Sequence, residues 1–318
     1  MIAIGSGAQG VDRPISLLPH EFVLLRDLVA DRLGLNYADE LAYLLERRLA
    51  PRVEALGLHC FLDYHDYLIN DAIPESERAR ELAEIFELLS TRETYFFRES
   101  YQLDALRKEL LPRLLQSRRH SKRLRFLSAG CASGEEAYSI AISICQSGLL
   151  DPSWEVTIVG CDLSQRALEA ARRGTYGRSS FRHVSDALMQ EYFQAQSDGT
   201  HAVCEAVRRM CRMRFVRANL SAAANDWTQS QADQSELAGP FDAIFCRNLL
   251  IYFSRARRSQ LLSGLATRLA PDGYLFLGHS ESLHDLKTPF VLERLAGELV
   301  YRLASAPSDV AAVSRQGR

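Results

Sequence analysis

At Leu124 the hydrophobic pattern of the chain changes its period, and this change restricts the possible folds more than any other feature. Beyond it, short apolar runs alternate with helical ones: "RLRFLSAG", "WEVTIVGCD", "FDAIFCRN", "YLFLGHSES" and "ELVYRLAS" read as strands, the last of them closing the series. Between them, "EEAYSIAISICQSG", "SQRALEAARRG" and "RARRSQLLSGLATRLAPDG" read as helices, the third ended by its Pro-Asp-Gly turn. Parallel strands cannot be joined by a tight turn, so this alternation predicts a parallel sheet with crossover helices, an α/β fold.

Over the first ninety or so residues no strand pattern occurs. "LPHEFVLLRDLVADRLGL" places Phe22, Leu25, Val29 and Leu33 at helical spacing and stops at Gly34. "DELAYLLERRLAPRVEALGL" is a second helix, which Pro51 should kink or restart because it cannot donate to the helix ladder. "FLDYHDYLIN" is a shorter third helix, and "PESERARELAEIFELLS" is a fourth that aligns Leu82, Ile85, Phe86 and Leu89 on one face. The expected organisation is a flexible start (1–14), a helical domain (15–90), an α/β domain (91–304) and a flexible tail (305–318). Residues 175–215 break the alternation and read as an insertion, taken as about 177–216, with a hairpin tip at Asp198-Gly199. Residues 221–239 read as polar connection.

Composition excludes several function classes. With 47% hydrophobic residues in 318, both domains can bury cores. A net charge of −2 gives no whole-chain attraction to nucleic acid, and no aromatic–basic stripe is evident. The seven cysteines form no C-x-x-C pair and no zinc-ligand spacing, so reduced thiols in the cytoplasm and no metal are expected. No basic leader precedes an apolar segment and no 18-residue apolar run occurs, so neither a signal peptide nor membrane insertion is expected.

A glycine-bracketed loop, Gly130 to Gly134, follows the first strand, where doubly wound sheets bind ligands. It has neither the lysine of a P-loop nor the G-x-G-x-x-G pattern, and it runs into Glu135 and Glu136. Phosphate is therefore a poor candidate. Glu136 suits an ammonium group, the glycines allow close backbone approach, and Asp162 ends the next strand where an acid accepts ribose hydroxyls. Together these describe a nucleoside with a cationic amino-acid tail, S-adenosylmethionine. Beside this stands the plainer reading in which the glycines only make a tight turn and the glutamates favour a helix's first turn.

Five blocks in order, "LSTRETYFFRES" (89–100), "SAGCASGEEAYSIAI" (128–142), "GCDLSQRALEAARRGTY" (160–176), "GPFDAIFCRNLLIYF" (239–253) and "DGYLFLGHSESL" (272–283), resemble the CheR family of chemotaxis-receptor glutamate methyltransferases. The resemblance covers nearly the whole chain. It implies a Rossmann-like S-adenosylmethionine-dependent methyltransferase domain with an inserted small antiparallel β-subdomain, preceded by an all-helical domain. The implied reaction methylates glutamates on the cytoplasmic helical domain of chemoreceptors, forming γ-methyl esters and S-adenosylhomocysteine. Carried over, Thr94, Arg98, Gly130, Glu136, Asp162, Asn219, Leu220, Arg247 and Asn248 are expected cofactor contacts, and Arg98 and Tyr252 the residues around the reacting carboxylate. Cys131 becomes a small loop residue rather than a nucleophile. Arg92 stands where the family usually has asparagine, and Ala137 where it often has proline.

The chemistry suits such residues. A sulfonium and a carboxylate lose charge together, the nucleophile is already ionised at neutral pH, and orientation does most of the work. Arg98 can grip a carboxylate with both arms, Tyr252 can fix its other side, and Phe96, Phe97 and Phe253 either wall the pocket or pack as core. "GHSES" (278–282) approaches the hydrolase elbow G-x-S-x-G, but ends in Ser282 with only His284 following, so Ser280 and Glu281 read as structural or pocket-edge residues. Arg47, Arg48 and Arg52 are read as a face toward an acidic receptor bundle, or as a solvated helix face. The hairpin "QAQSDGTHAV" lacks the longer Gly/Pro loop of members that capture a receptor tail, so independence from such a tether is expected. A monomer is expected. The other function class is a regulatory module that binds the cofactor without methylating anything, for which Arg92 is the hint.

Overall fold

The computed structural model describes residues 15–90, 93–228 and 230–304, so the expected flexible start and tail and the Arg92 position lie outside the described residues. Two compact units are present: residues up to 31 with 36–89, and residues 32–35 with 90 onward.

The first unit is helical: α1 (Pro19–Leu33), α2 (Ala42–Ala55), α3 (Phe61–Ile69) and α4 (Glu75–Leu89). The α2 helix does not restart at Pro51. Pro51 lies on its exposed side, while Leu45, Leu49 and Val53, fully buried at four-residue spacing, hold both halves in one core. The buried stripe of α4 is Glu81, Ile85 and Leu89, with Leu82 and Phe86 only half-buried. Glu81 is tolerated there because it accepts bonds from Arg52 Nε (2.9 Å) and Nη2 (2.5 Å) and from the Tyr64 hydroxyl (2.6 Å). Arg48 Nη1 donates to the carbonyls of Leu88 (3.1 Å) and Leu89 (2.9 Å), closing the C-terminus of α4. Two of the three arginines read as an outward face are thus used inside the unit, and Arg47 alone of them is exposed.

In the second unit, α5 (Ser100–Ala105) and α6 (Leu111–Ser117), joined by a π-helical turn, lead into β1 (Arg123–Ala129). Then follow α7 (Glu135–Ser147), β2 (Glu155–Asp162), α8 (Gln165–Arg173), β3 (Thr175–Tyr176), α9 (Asp186–Tyr192), β4 (Phe193–Ala195) and β5 (His201–Val203). The chain continues through α10 (Glu205–Met210), β6 (Cys211–Arg217), α11 (Gln231–Leu237), β7 (Phe241–Cys246), α12 (Arg255–Ala266), β8 (Leu269–Leu277), β9 (Phe290–Leu295) and β10 (Glu298–Leu303). The main sheet has the order β6-β2-β1-β7-β8-β10-β9, parallel through β8 and antiparallel at β10 and β9. Its central strands bury both faces: Phe126, Ile158 and Phe245 pack with α7 on one side, and Leu127, Val159 and Ile244 pack with α12 on the other. This two-sided burial is why those strands read as unbroken apolar runs.

The strand order departs in opposite directions from β1, so the crevice outside the ends of β1 and β7 is the topological switch point. Four sequence expectations need correction. The insertion is shorter than 177–216, because β6 (211–217) is an edge strand of the main sheet; the three arginines interleaved with its apolar side chains hid it. The small antiparallel sheet β3-β5-β4 ends by Val203, with the hairpin tip at Asp198-Gly199 as expected. Pro271-Asp272-Gly273 does not end a helix: α12 stops at Ala266, and the three residues bulge out of β8, whose pairing with β7 jumps from Phe241↔Leu269 to Ala243↔Tyr274. Residues 221–239 hold α11 and a buried Trp227, and β9 adds a strand before the last one.

Candidate active site

The loop after β1 is fastened to the end of β2. Gly130 and Cys131 N–H both donate to the Cys161 carbonyl (2.8 and 3.0 Å), and Asp162 accepts from Ala132 N–H and Ser164 N–H (2.9 Å each). Asp162 therefore pins the loop from the position where it was expected to meet a ribose. Gly134 has φ +93°, and a Cβ there would lie 2.7 Å from the Ala171 Cβ, so the turn into α7 requires glycine. Cys131 is buried and burial pushes its thiol well up, which removes it as a nucleophile.

The two glutamates that open α7 diverge. Glu135 turns away and accepts from Ser133 Oγ (2.7 Å) and Ser180 Oγ (2.9 Å). Glu136 accepts from Ser128 Oγ through Oε1 (2.6 Å), while its Oε2 lies 3.5 Å from Arg247 Nη1. Burial pushes the Glu135 carboxyl up, opposed by its hydrogen bonds. A carboxyl raised on folding stabilises the fold below its unfolded pKa, and that contribution is lost as pH rises through the folded value. Glu135→Gln, neutral and isosteric, should therefore melt above wild type at neutral pH and match it near about pH 4. Thermal melts at both pH values check this, and an equal difference at both would sink it.

Arg247, directly after β7, is 2% exposed and lies between two carboxylates: Nη2 is 3.4 Å from Glu99 Oε2, and it also donates to the Arg98 carbonyl. Arg98 is half-buried, with Nη1 on the Glu93 carbonyl (2.6 Å). Its charge lowers both the Glu136 carboxyl and the Tyr252 hydroxyl, against the larger upward push of burial on each. Tyr252 is half-buried and burial pushes its hydroxyl up. Thr94 is half-buried beside this group in sequence. Asn219 uses its carboxamide locally, accepting from Ser221 N–H (3.0 Å) and Oγ (2.6 Å) and donating to the Arg32 carbonyl (3.2 Å); Leu220 beside it is buried. Phe96 is a core residue rather than a pocket wall, packed among Tyr176, Phe181 and Phe193. Phe97 is buried and Phe253 closes on Gly34.

Residues 92–296 match the family described as "CheR methyltransferase, SAM binding domain", and residues 20–91 match "CheR methyltransferase, all-alpha domain". The chain belongs to the CheR methyltransferase family. Among its relatives are chemotaxis protein methyltransferase 2 of Vibrio cholerae (31% identity over 86% of this chain and 89% of that one) and the chemotaxis protein methyltransferase of Escherichia coli K12 (31%, 91% and 93%). A third is chemotaxis protein methyltransferase 1 of Pseudomonas aeruginosa (32%, 89% and 97%). The cofactor of this CheR protein is S-adenosylmethionine, and the site fits it on structural grounds. Glu136 Oε2 has no close hydrogen bond to Arg247, the buried Arg247 Nε has no acceptor among the described residues, and a Cβ on Gly130 would close to 3.2 Å on Leu249. An anionic oxygen, a spare donor and a cradle that glycine keeps open are what an amino-acid tail needs.

Three residues beside this group, Glu99, His279 and Glu281, had no role assigned from the sequence or were left undefined. Glu99 receives His279 Nδ1 (2.9 Å) and His279 N–H (3.2 Å). Burial raises its carboxyl, but the bond from His279 and the charge of Arg247 outweigh this and hold it below its usual value. Glu281, from "GHSES", accepts backbone N–H bonds from Asn248 (2.8 Å) and Gly278 (2.8 Å) at Oε2 and from Leu250 (2.7 Å) at Oε1. Asn248 itself has φ +56°, so the loop after β7 is held in its bent form by a carboxylate from the loop after β8. The motif's spacing of a glycine turn and a carboxylate three residues on was the available signal.

Proposed function

We propose that this CheR protein transfers the methyl group of S-adenosylmethionine to glutamate side chains on the cytoplasmic helices of chemoreceptors, giving γ-methyl esters and S-adenosylhomocysteine. The observation that carries the reading is the group of Arg98, Glu136, Arg247 and Tyr252 at the switch point of a sheet whose family domain binds the methyl donor. The names of the relatives support the receptor as substrate.

When bound, S-adenosylmethionine supplies an electrophilic methyl group on a positive sulfur. Glu136 would hold the ammonium end, Gly130 and the loop pinned by Asp162 would admit the part that comes close to the backbone, and Asp162 and Asn248 are the residues assigned to the nucleoside. Arg98 receives the substrate carboxylate with its planar fork and keeps one oxygen directed at the methyl carbon. Tyr252, held protonated by burial, donates to the other side. No base is required, because a glutamate is ionised at neutral pH. The test is transfer of labelled methyl groups to receptor-containing membranes: base-labile label on the receptor supports the enzyme, and cofactor binding with no transfer to any receptor supports the regulatory module instead.

Independence from a receptor-tail tether is part of this reading. The small sheet offers edges of only two and three residues, β3 and β4, and its hairpin closes tightly, with Gln196 N–H on the Thr200 carbonyl (2.8 Å) and Thr200 capped by Asp198. Strand addition gains affinity from main-chain bonds, and such edges provide few. Calorimetry with a receptor-tail pentapeptide should show no micromolar binding; clear binding would overturn this part.

A further inference from the structure

We propose that Glu99, fixed by His279, is a positioning residue that keeps Arg247 from neutralising Glu136, so that Glu136 retains the negative charge that binds the ammonium of the methyl donor. The proposal deepens the functional reading and rests on its assignment of that ammonium.

The Arg247 guanidinium is divided almost equally, 3.4 Å from Glu99 and 3.5 Å from Glu136. Both separations exceed the roughly 2.7–2.9 Å of a fully formed charge-assisted bond. Neither carboxylate therefore claims it. The same Nη2 that faces Glu99 also donates to the Arg98 carbonyl, which holds the guanidinium on that side. Glu99 is itself held at both oxygens by His279, through the ring and the backbone N–H, and its backbone sits at φ +51°, a conformation a non-glycine residue keeps only when its surroundings impose it.

The charge balance follows. Two buried carboxylates share one guanidinium, which leaves one negative charge, matched by one ammonium. The charge of Arg98 also reaches Glu136, but that side chain is anchored to the Glu93 carbonyl and is the group assigned to the substrate. Without Glu99, only the bond to the Arg98 carbonyl holds Arg247 back from Glu136, and a guanidinium fork on a carboxylate would compete directly with the cofactor's amino group. His279 is 67% exposed on its side chain, so its contribution should be the smaller one.

The test compares two probes by calorimetry: S-adenosylhomocysteine, which carries the ammonium, and 5′-deoxy-5′-methylthioadenosine, which lacks the amino-acid part. Glu99→Gln should weaken the first about tenfold, the size usual for coupling within one charge network, and leave the second unchanged. His279→Ala should do the same to a smaller degree, and Glu99→Asp should restore part of the loss. Equal weakening of both probes would mean a merely structural role and overturn the proposal, as would no change in either. Glu136→Gln is run alongside. If it discriminates between the probes and Glu99→Gln does not, only the positioning role fails; if it does not discriminate, the ammonium assignment is wrong and the proposal falls with it.

Discussion

Arg98→Ala should lower the rate of methyl transfer about 10³-fold, the scale of removing a group that both orients and stabilises at a reacting centre. The side chain is half-buried, and its ties among the described residues are a bond from Nη1 to the Glu93 carbonyl and a place over the Tyr95 ring at 5.8 Å, so its loss should shift the melting temperature little. Its charge lowers both the Tyr252 hydroxyl and the Glu136 carboxyl against the upward push of burial, and these are the groups assigned to substrate and donor. Lysine should not rescue: a point charge on a flexible stem cannot hold two carboxylate oxygens in a plane. Single-turnover transfer to receptor membranes, with donor affinity measured separately, distinguishes a lost orienting group from a lost binding contact. An alanine variant within threefold of wild type would remove Arg98 from the mechanism.

Glu281→Ala should be the most damaging substitution among the loop residues that never touch substrate. It removes the acceptor of three backbone N–H groups at once, those of Asn248, Leu250 and Gly278. Orphaned backbone donors cost about 1–3 kcal/mol each, and with partial access of water the sum should be about 3 kcal/mol. That corresponds to a fall in melting temperature of roughly 10 °C for a unit of this size. The same change frees Asn248 from its left-handed bend and lets Arg247 and Tyr252 move, so transfer should fall with stability. Glutamine should be intermediate, since one oxygen remains and the amide NH2 meets a donor. Thermal melts with cofactor titration check both parts; a glutamine variant worse than alanine would contradict the clip.

What could be read in advance was local. The change of period at Leu124, the buried face of α1, and the glycine loop before α7 depend on neighbours within a few residues, and period and turn chemistry report those directly. Strand β6 was missed because an edge strand keeps polar side chains, here Arg212, Arg214 and Arg217, and has no clean apolar run. Glu81 defeated the stripe of α4 for the opposite reason: a charged residue is buried there, and only Arg52 and Tyr64, far away in sequence, make that tolerable.

The sequence by itself determined the α/β class, the helical leading region, the position of the cofactor loop and, through five ordered blocks, the family. Tertiary structure alone decided which of two adjacent glutamates faces Arg247, that Arg48 and Arg52 are tied within their own unit, and that Glu99 meets a histidine 180 positions later. Backbone preference and burial period are encoded in neighbouring residues, whereas the partner of a charged side chain is set by which strand ends the sheet topology brings together. Glu136, Arg247 and Glu281 reach one place because β1, β7 and β8 lie side by side in the sheet, and Glu99 joins them from the turn before α5.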